Sequence, residues 1–278
     1  IKFKVLLSGT PIENELRDLW ALFDIFDPSH FGSWKKFKEE FVKSTVSDMD
    51  EKLRNKASKY ILRRLKKDYL KELPKKQEKV YRVPLGVDSQ GYLDILNSSA
   101  KALTRMRGLK EFCLHKKLAD KNENQTAVFE NGILQDFTKT VELLRLLEEI
   151  KTDGEKVILF VLSRLAQDML RHHLQEHFNI TISVINGDSN KGIQVKKSLT
   201  SFKSQNGFAI IILSPLAAGV GLTITEANHV IHYERWWNAS KEDQASDRAY
   251  RIGQTKDVFV HYILATIEGK TSFDEALH

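Results

Sequence analysis

The stretch VILFVLSRLAQDMLRHHLQEHFNITISVI, residues 157–185, decides the fold. Val157–Leu162 is an unbroken apolar run of strand length. Such a run, unlike an alternating one, suits a strand covered on both faces. Residues 164–177 read as a helix and Ile180–Ile185 as the next strand. Working outward, 136–150 is a predicted helix before the first strand. Beyond the second strand come a helix at 191–203, a strand at Phe208–Leu213, a strand at Val230–Tyr233, a helix at 241–251 and a strand at Val258–Leu264. Strands that alternate with helices of about 10–15 residues build a parallel sheet with helices on both faces. The expected class is therefore α/β. The sequence has no tandem repeat and no low-complexity tract.

Residues 1–130 have a different rhythm. Ile1–Leu7 reads as a leading strand and runs into Ser8-Gly9-Thr10-Pro11. Leu16, Leu19, Trp20, Phe23 and Phe26 then recur at helical spacing, and Pro28 ends that helix. Trp34, Phe37 and Phe41 repeat the spacing. A basic helix is expected next, edged by Leu62, Leu65, Tyr69 and Leu73 and stopped by Pro74. Lys79–Leu85 reads as an extended connector, 88–118 as helical, and Lys121–Asn131 as a loop. The chain is expected to divide into a mostly α-helical part, 1–130, and an α/β part, 131–278. A start on a core-like strand without an initiator Met leads us to expect a longer protein, with a partner lobe ahead of Ile1.

Composition narrows the function classes. The 278 residues carry a net charge of +6, concentrated unevenly. Between Lys52 and Arg82 there are thirteen basic residues against three acidic ones, so the rest of the chain is net acidic. Charge alone divides that segment evenly between a solvated helix face and a phosphate-facing one. The single cysteine, Cys113, excludes an intramolecular disulfide and points to a reducing setting. No run approaches the roughly 18 apolar residues of a membrane span.

Ligands of open parallel sheets bind beyond the carboxyl ends of the strands. Four segments fall there. Ser8-Gly9-Thr10-Pro11 offers hydroxyls, although alone it is a turn before a helix. Ser214–Leu222 holds Gly219 and Gly221, whose spacing allows close backbone approach to a phosphate or simply a tight turn. On a helix, Gln244, Arg248 and Arg251 share one face (i, i+4, i+7). Two guanidinium forks there suit phosphate oxygens, unless Arg251 merely pairs with Asp247. Trp236-Trp237-Asn238 is by default core.

In order and spacing these segments resemble the SWI/SNF-type ATPases of helicase superfamily two, chromatin remodellers and their bacterial and archaeal relatives. The resemblance covers nearly the whole chain. It is carried by LLSGTPIENELRDLWALFDIFDP, the basic YILRRLKKDYLKELPKKQEKVY, LKEFCLHKKL, KVILFVL, ILSPLAAGVGLTITEANHVIHYERWWN and above all EDQASDRAYRIGQTKDVFVHYIL. The double Trp is similar to the bacterial and archaeal branch.

The resemblance implies a RecA-like second motor lobe behind a helical protrusion, in an enzyme that couples ATP hydrolysis to movement along double-stranded DNA. Arg248 and Arg251 would reach the γ-phosphate, with Arg251 as the finger. Gln244, Asp247, Gly219 and Gly221 would sense the nucleotide. Ser8, Gly9, Thr10, Ser163 and Ser214, with Arg63, Arg64, Lys66 and Lys67, would meet DNA phosphates. Trp237 and Asn238 would couple the two sites. ATP and Mg2+ would be held mainly by the N-terminal RecA-like lobe, the second partner besides DNA. No residue of this chain is assigned to a metal, and the implied location is cytoplasmic, at the nucleoid.

The sequence departs from the family pattern in places. The Gly-x-x-x-x-Gly-Lys-Ser/Thr loop and the Asp-Glu box are not in it, so the chain alone is not expected to hydrolyse ATP. Leu216 stands for a usual Lys or Arg, Ala218 for Gly, and Ala239 and Lys116 for Pro. Before the 191–203 helix the usual Arg is missing, with Lys196 or Lys197 as substitutes. A strand-separating helicase and a non-catalytic basic DNA-binding module are the alternative readings.

Overall fold

The computed structural model describes residues 4–12, 14–43, 49–64, 70, 72–120, 125–187, 192–215 and 221–278. It forms two compact units, Ile1–Glu72 and Leu73–His278.

The first unit is helical: α1 (Leu16–Phe26), α2 (Pro28–Phe31), α3 (Trp34–Phe37) running into a π-turn at Lys38–Val42, and α4 (Met49–Ser58). Asp27 caps α2 by accepting the Ser29 N–H, and Pro28 sits in the first turn, where its missing donor costs nothing. Leu19, Phe23, Phe31, Phe37, Phe41 and Leu53 make the core. Phe23 meets Phe31 edge-on at 4.7 Å.

Two expectations fail in this unit. Lys4–Leu7 is not a strand, because no other strand pairs with it among the described residues. Val5 and Leu7 are 80% and 94% exposed. The basic helix expected to run to Pro74 is not continuous with α4, which ends at Ser58; residues 59–64 are not helical, and Leu62 of the intended apolar edge is exposed. Leu65 and Tyr69 lie outside the described residues.

The second unit holds β1 (Lys76–Pro84), α5 (Ser89–Asn97), α6 (Ala102–Leu114), α7 (Lys116–Ala119), α8 (Thr138–Thr152), β2 (Lys156–Phe160), α9 (Arg164–Phe178), β3 (Ser183–Ile185), α10 (Gly192–Ser204), β4 (Ala209–Leu213), β5 (His229–His232), α11 (Ala239–Ser246), β6 (Val258–Thr266) and α12 (Phe273–Leu277). The six strands form one sheet in the order β1-β6-β5-β2-β4-β3, and every pairing is parallel. This is the α/β architecture expected from 157–185.

Side chains alternate between faces along each strand. Val157 and Leu159 of β2 join a core with Leu143, Leu147, Leu170 and Leu174 of α8 and α9. Ile158 and Phe160 join a second core with Phe202 of α10 and Ala245 of α11. Both faces are covered, which is why the strand reads as continuous apolar sequence.

The connector predicted at Lys79–Leu85 is instead the edge strand β1, paired with β6 from Lys76–Val258 to Pro84–Thr266. Its side chains are mostly exposed, and its lysines and arginine suit an edge that must not recruit another strand. Compaction therefore divides the chain at Glu72, whereas the change of sequence rhythm falls near residue 130.

Candidate functional site

The carboxyl ends of β2, β4 and β5 lead into the turns that hold most of the candidate residues. Ser163 follows β2 and caps α9, accepting the Ala166 N–H at 3.4 Å. Ser214 follows β4, is buried, and donates its backbone N–H to Ile185 O at 2.9 Å. After β5 the chain runs through Tyr233–Asn238 into α11. Asn238 caps α11 through Lys241 N at 3.2 Å, while Trp237 is 70% exposed and not core. Gly221 adopts φ 73°, a left-handed conformation that glycine takes without a Cβ clash. Gly219 lies outside the described residues.

The arginine segment is not the helix that was expected. α11 ends at Ser246, Asp247 is its C-cap, and the chain continues in turns through Gly253. Gln244, Arg248 and Arg251 therefore do not share a helical face. Tertiary bonds break the helix: Arg248 O accepts the Ile224 N–H at 2.9 Å, and Gln254 closes the turn. The Gln254 amide donates to Ala227 O at 2.9 Å and Thr225 O at 3.1 Å, and its oxygen accepts the N–H groups of Thr255 and Lys256, each at 2.9 Å.

The turns still bring the two arginines together. Arg251 is exposed and Arg248 half-buried. Burial and then the neighbouring Arg251 charge lower the Arg248 pKa, against Asp247. Nε of Arg248 is buried with no hydrogen-bond partner among the described residues. Two adjacent guanidinium groups, one of them exposed, suit an anion.

Ser8, Gly9 and Thr10 belong to the first unit, with Ser8 Oγ accepting the Thr10 N–H at 3.1 Å. Arg63 and Arg64 are exposed in the same unit. Lys66 and Lys67 lie outside the described residues. Part of the basic segment is spent internally: Lys52 pairs with Glu40 at 3.0 Å, and Lys76 with Glu78 at 3.1 Å.

Sequence reasoning missed the groups that hold the β5–α11 connector. Glu234 is buried. Its Oε2 accepts the Leu162 and Ser163 N–H groups at 2.6 and 2.8 Å, and Lys110 of α6 lies 2.7 Å from its Oε1. Arg235, also buried, meets Glu242 of α11 at 2.8 Å and lies over the Tyr262 ring at 4.5 Å. Glu242 accepts the Trp236 N–H at 2.6 Å, and burial raises its carboxyl to about 7. The available signal was the run of alternating charge, Glu234-Arg235, directly after an apolar strand.

Among the described residues, the grouping with metal-ligand spacing is His172, His173 and Glu176 on α9, with ligand atoms within 4.8 Å of one another. His173 spends Nε2 on the Val128 carbonyl at 2.9 Å. Among the described residues no such grouping of three lies at the arginine segment. No helix among the described residues is long and apolar enough to cross a membrane.

Comparison with known proteins agrees with this architecture. A model of the SNF2-related domain matches residues 1–126, and one of the helicase conserved C-terminal domain matches 138–253. Zorya protein ZorD of Escherichia coli O139:H28 is 36% identical over 99% of the chain and 27% of its own length. The putative ATP-dependent helicase/translocase YwqA of Bacillus subtilis is 32% identical over 94% of the chain and 30% of its own. The chain thus spans under a third of these relatives. The Sulfolobus solfataricus SWI2/SNF2 ATPase core in complex with dsDNA superposes with a TM-score of 0.55 and 28% identity, over 93% of this chain and 57% of that one.

Proposed function

Since the chain belongs to the SNF2-related family of helicase-like ATPases, we propose that it is the C-terminal motor lobe of an ATP-dependent translocase on double-stranded DNA. The observation that carries this reading is the Arg248–Arg251 pair, two neighbouring cations of which Arg251 is exposed. An incoming γ-phosphate relieves the repulsion between the two cations and takes hydrogen bonds from the exposed Arg251 guanidinium. Arg251, the exposed member, is the finger, and Arg248 braces it. Gln244 and Asp247, on the last turn of α11, together with the Gly219–Gly221 loop, report nucleotide state.

As the family resemblance implies, ATP and Mg2+ are assigned mainly to an N-terminal RecA-like lobe as partner, and this chain alone is not expected to turn over ATP. Ser163 and the buried Ser214 at the strand ends of the second unit are assigned to the DNA, and Ser8–Thr10, Arg63, Arg64, Lys66 and Lys67 are assigned to it from the first unit. Trp237, exposed beside α11, and Asn238, its cap, link the DNA side to the nucleotide side. Duplex DNA is the nucleic acid in the Sulfolobus ATPase-core structure, which supports it as the track. In this scheme residues 1–130 supply the end of the first lobe, the protrusion and the basic linker, and 131–278 the second lobe. The working location is the cytoplasm, at the nucleoid.

The test is Arg251→Ala in the complete protein. Hydrolysis should fall by roughly 10³-fold or more while duplex binding stays close to wild type. Equal loss of both would assign Arg251 a folding role. Strand separation by the wild-type protein would replace the translocase reading with a helicase.

A further inference from the structure

We propose that Lys110 is a positioning residue for DNA-coupled hydrolysis, acting through the buried carboxylate of Glu234 on the turn that presents Ser163. The inference rests on the motor reading above and adds to it a residue from the helical protrusion that touches neither candidate ligand.

Glu234 is 2% exposed, and a buried carboxylate is costly unless neutralised and hydrogen-bonded. Oε2 is satisfied by two backbone N–H groups, those of Leu162 and Ser163. Oε1 has no hydrogen-bond partner among the described residues, so its charge is offset by the Lys110 ammonium 2.7 Å away, and no other cation pairs with Glu234 there. Lys110 reaches in from α6 and keeps about a third of its side chain in water. It therefore compensates the charge that lets Glu234 grip the β2–α9 turn.

The next residue of the connector makes a different contact. Arg235 pairs with Glu242, and Glu242 also takes the Trp236 N–H. Glu242 lies on α11, which carries Gln244 and leads into Arg248. Two consecutive residues thus grip the candidate DNA-side turn and the candidate nucleotide-side helix. The Glu234 grip is a buried carboxylate on two backbone N–H groups, and the Arg235 grip is a buried ion pair, so neither lets go cheaply. A shift of the Ser163 turn is passed to α11 through Glu234 and Arg235 only while Glu234 is held, and Lys110 holds it.

The charge logic fixes the outcomes in a double-mutant cycle. Lys110→Met strands a buried carboxylate. Lys110→Arg keeps the charge and the reach. Glu234→Gln in the Lys110→Met background removes the stranded charge and leaves an acceptor for the turn.

The experiment measures ATP hydrolysis by the complete protein with and without a duplex oligonucleotide, together with duplex affinity and melting temperature. K110M is expected to lose roughly ten- to a hundredfold of the DNA-stimulated rate, a cost typical of misplaced catalytic elements. Its DNA-free rate should stay at the wild-type level. K110R, and K110M combined with E234Q, should both recover most of the stimulation. Full stimulation in K110M overturns the proposal. So does a K110R variant as defective as K110M, or a double variant no better than K110M. If K110M fails to fold, the K110R and double variants still decide the question. A wild-type protein that DNA does not stimulate would overturn the motor reading itself, an outcome distinct from all of these.

Discussion

Nζ of Lys139 stands 2.6 Å from Oδ2 of Asp274, and both side chains are almost wholly out of water. The pair ties α8 to α12. The ammonium also lies over the Tyr233 ring at 4.8 Å, and Asp274 accepts the Ala265 N–H at 2.9 Å. Burial raises the Asp274 pKa, with Lys139 opposing. Removing one partner leaves the other charge buried and uncompensated. Asp274→Ala should therefore lower unfolding free energy by about 3–5 kcal/mol. Replacing both, Lys139→Met with Asp274→Leu, should recover much of that loss. Denaturant unfolding of the single and double variants checks both signs.

Buried histidines set the acid limit of the second unit. Burial holds His232 and His261 down to about 3, each also pushed down by a neighbouring charge or imidazole, and His115 down to about 4. In the unfolded chain each titrates near 6.5. Between 6.5 and these lower values the unfolded state binds more protons, so stability falls as pH falls through that window. Melting temperature should drop steadily from pH 6.5 to pH 4. His232→Gln, which cannot titrate, should show a shallower drop over the same range.

Glu242 works in the opposite direction. Its carboxyl is raised from its ordinary 4.5 to about 7, first by burial, with Arg235 opposing. The unfolded state therefore loses its proton first as pH rises, and the native state loses relative stability between about 4.5 and 7. Glu242→Gln does not titrate. The melting-temperature difference, variant minus wild type, should rise from pH 5 to pH 7 and stay level above. A flat difference across that range would mean that Glu242 is ionised throughout.

The sequence made the sheet legible where burial is two-sided. β2 and β4 are apolar runs because a covered strand has no solvent face to record. β1 was misread for the complementary reason: as an edge strand with an exposed burial pattern it carries Lys76, Lys79 and Arg82 and looks like a linker. The leading strand failed because pairing, not propensity, makes a strand, and Lys4–Leu7 has no strand to pair with among the described residues. Arg248 and Arg251 were found as a pair but on the wrong backbone. Helical spacing extends through residue 251, and only long-range bonds from Ile224 and Gln254 show that the helix has ended. Lys110 and Glu234 were not found, because 124 residues separate them and neither sits in a periodic pattern.

Gln254 tests whether the shape of the arginine segment matters as much as its charge. Its amide spans Thr225, Ala227 and Ala249 on one side and the N–H groups of Thr255 and Lys256 on the other. Gly253 beside it takes φ 101°, a conformation that side chains rarely adopt. Without the amide, buried carbonyls and N–H groups lose their partners, and the turn that places Arg251 after α11 is no longer fixed. Gln254→Ala should cost about 1–3 kcal/mol of stability from the unsatisfied backbone groups. The loss of hydrolysis in the complete protein should exceed what that instability explains, because a misplaced arginine loses its effect on the phosphate over about 1 Å. Gln254→Glu keeps the acceptor for Thr255 and Lys256 but removes the donor to the carbonyls, so it should be as damaging as Ala. Hydrolysis measured well below each variant's melting temperature separates placement from folding: a Gln254→Ala protein that is folded there and fully active would mean that the turn is set by the Arg248–Ile224 bond alone.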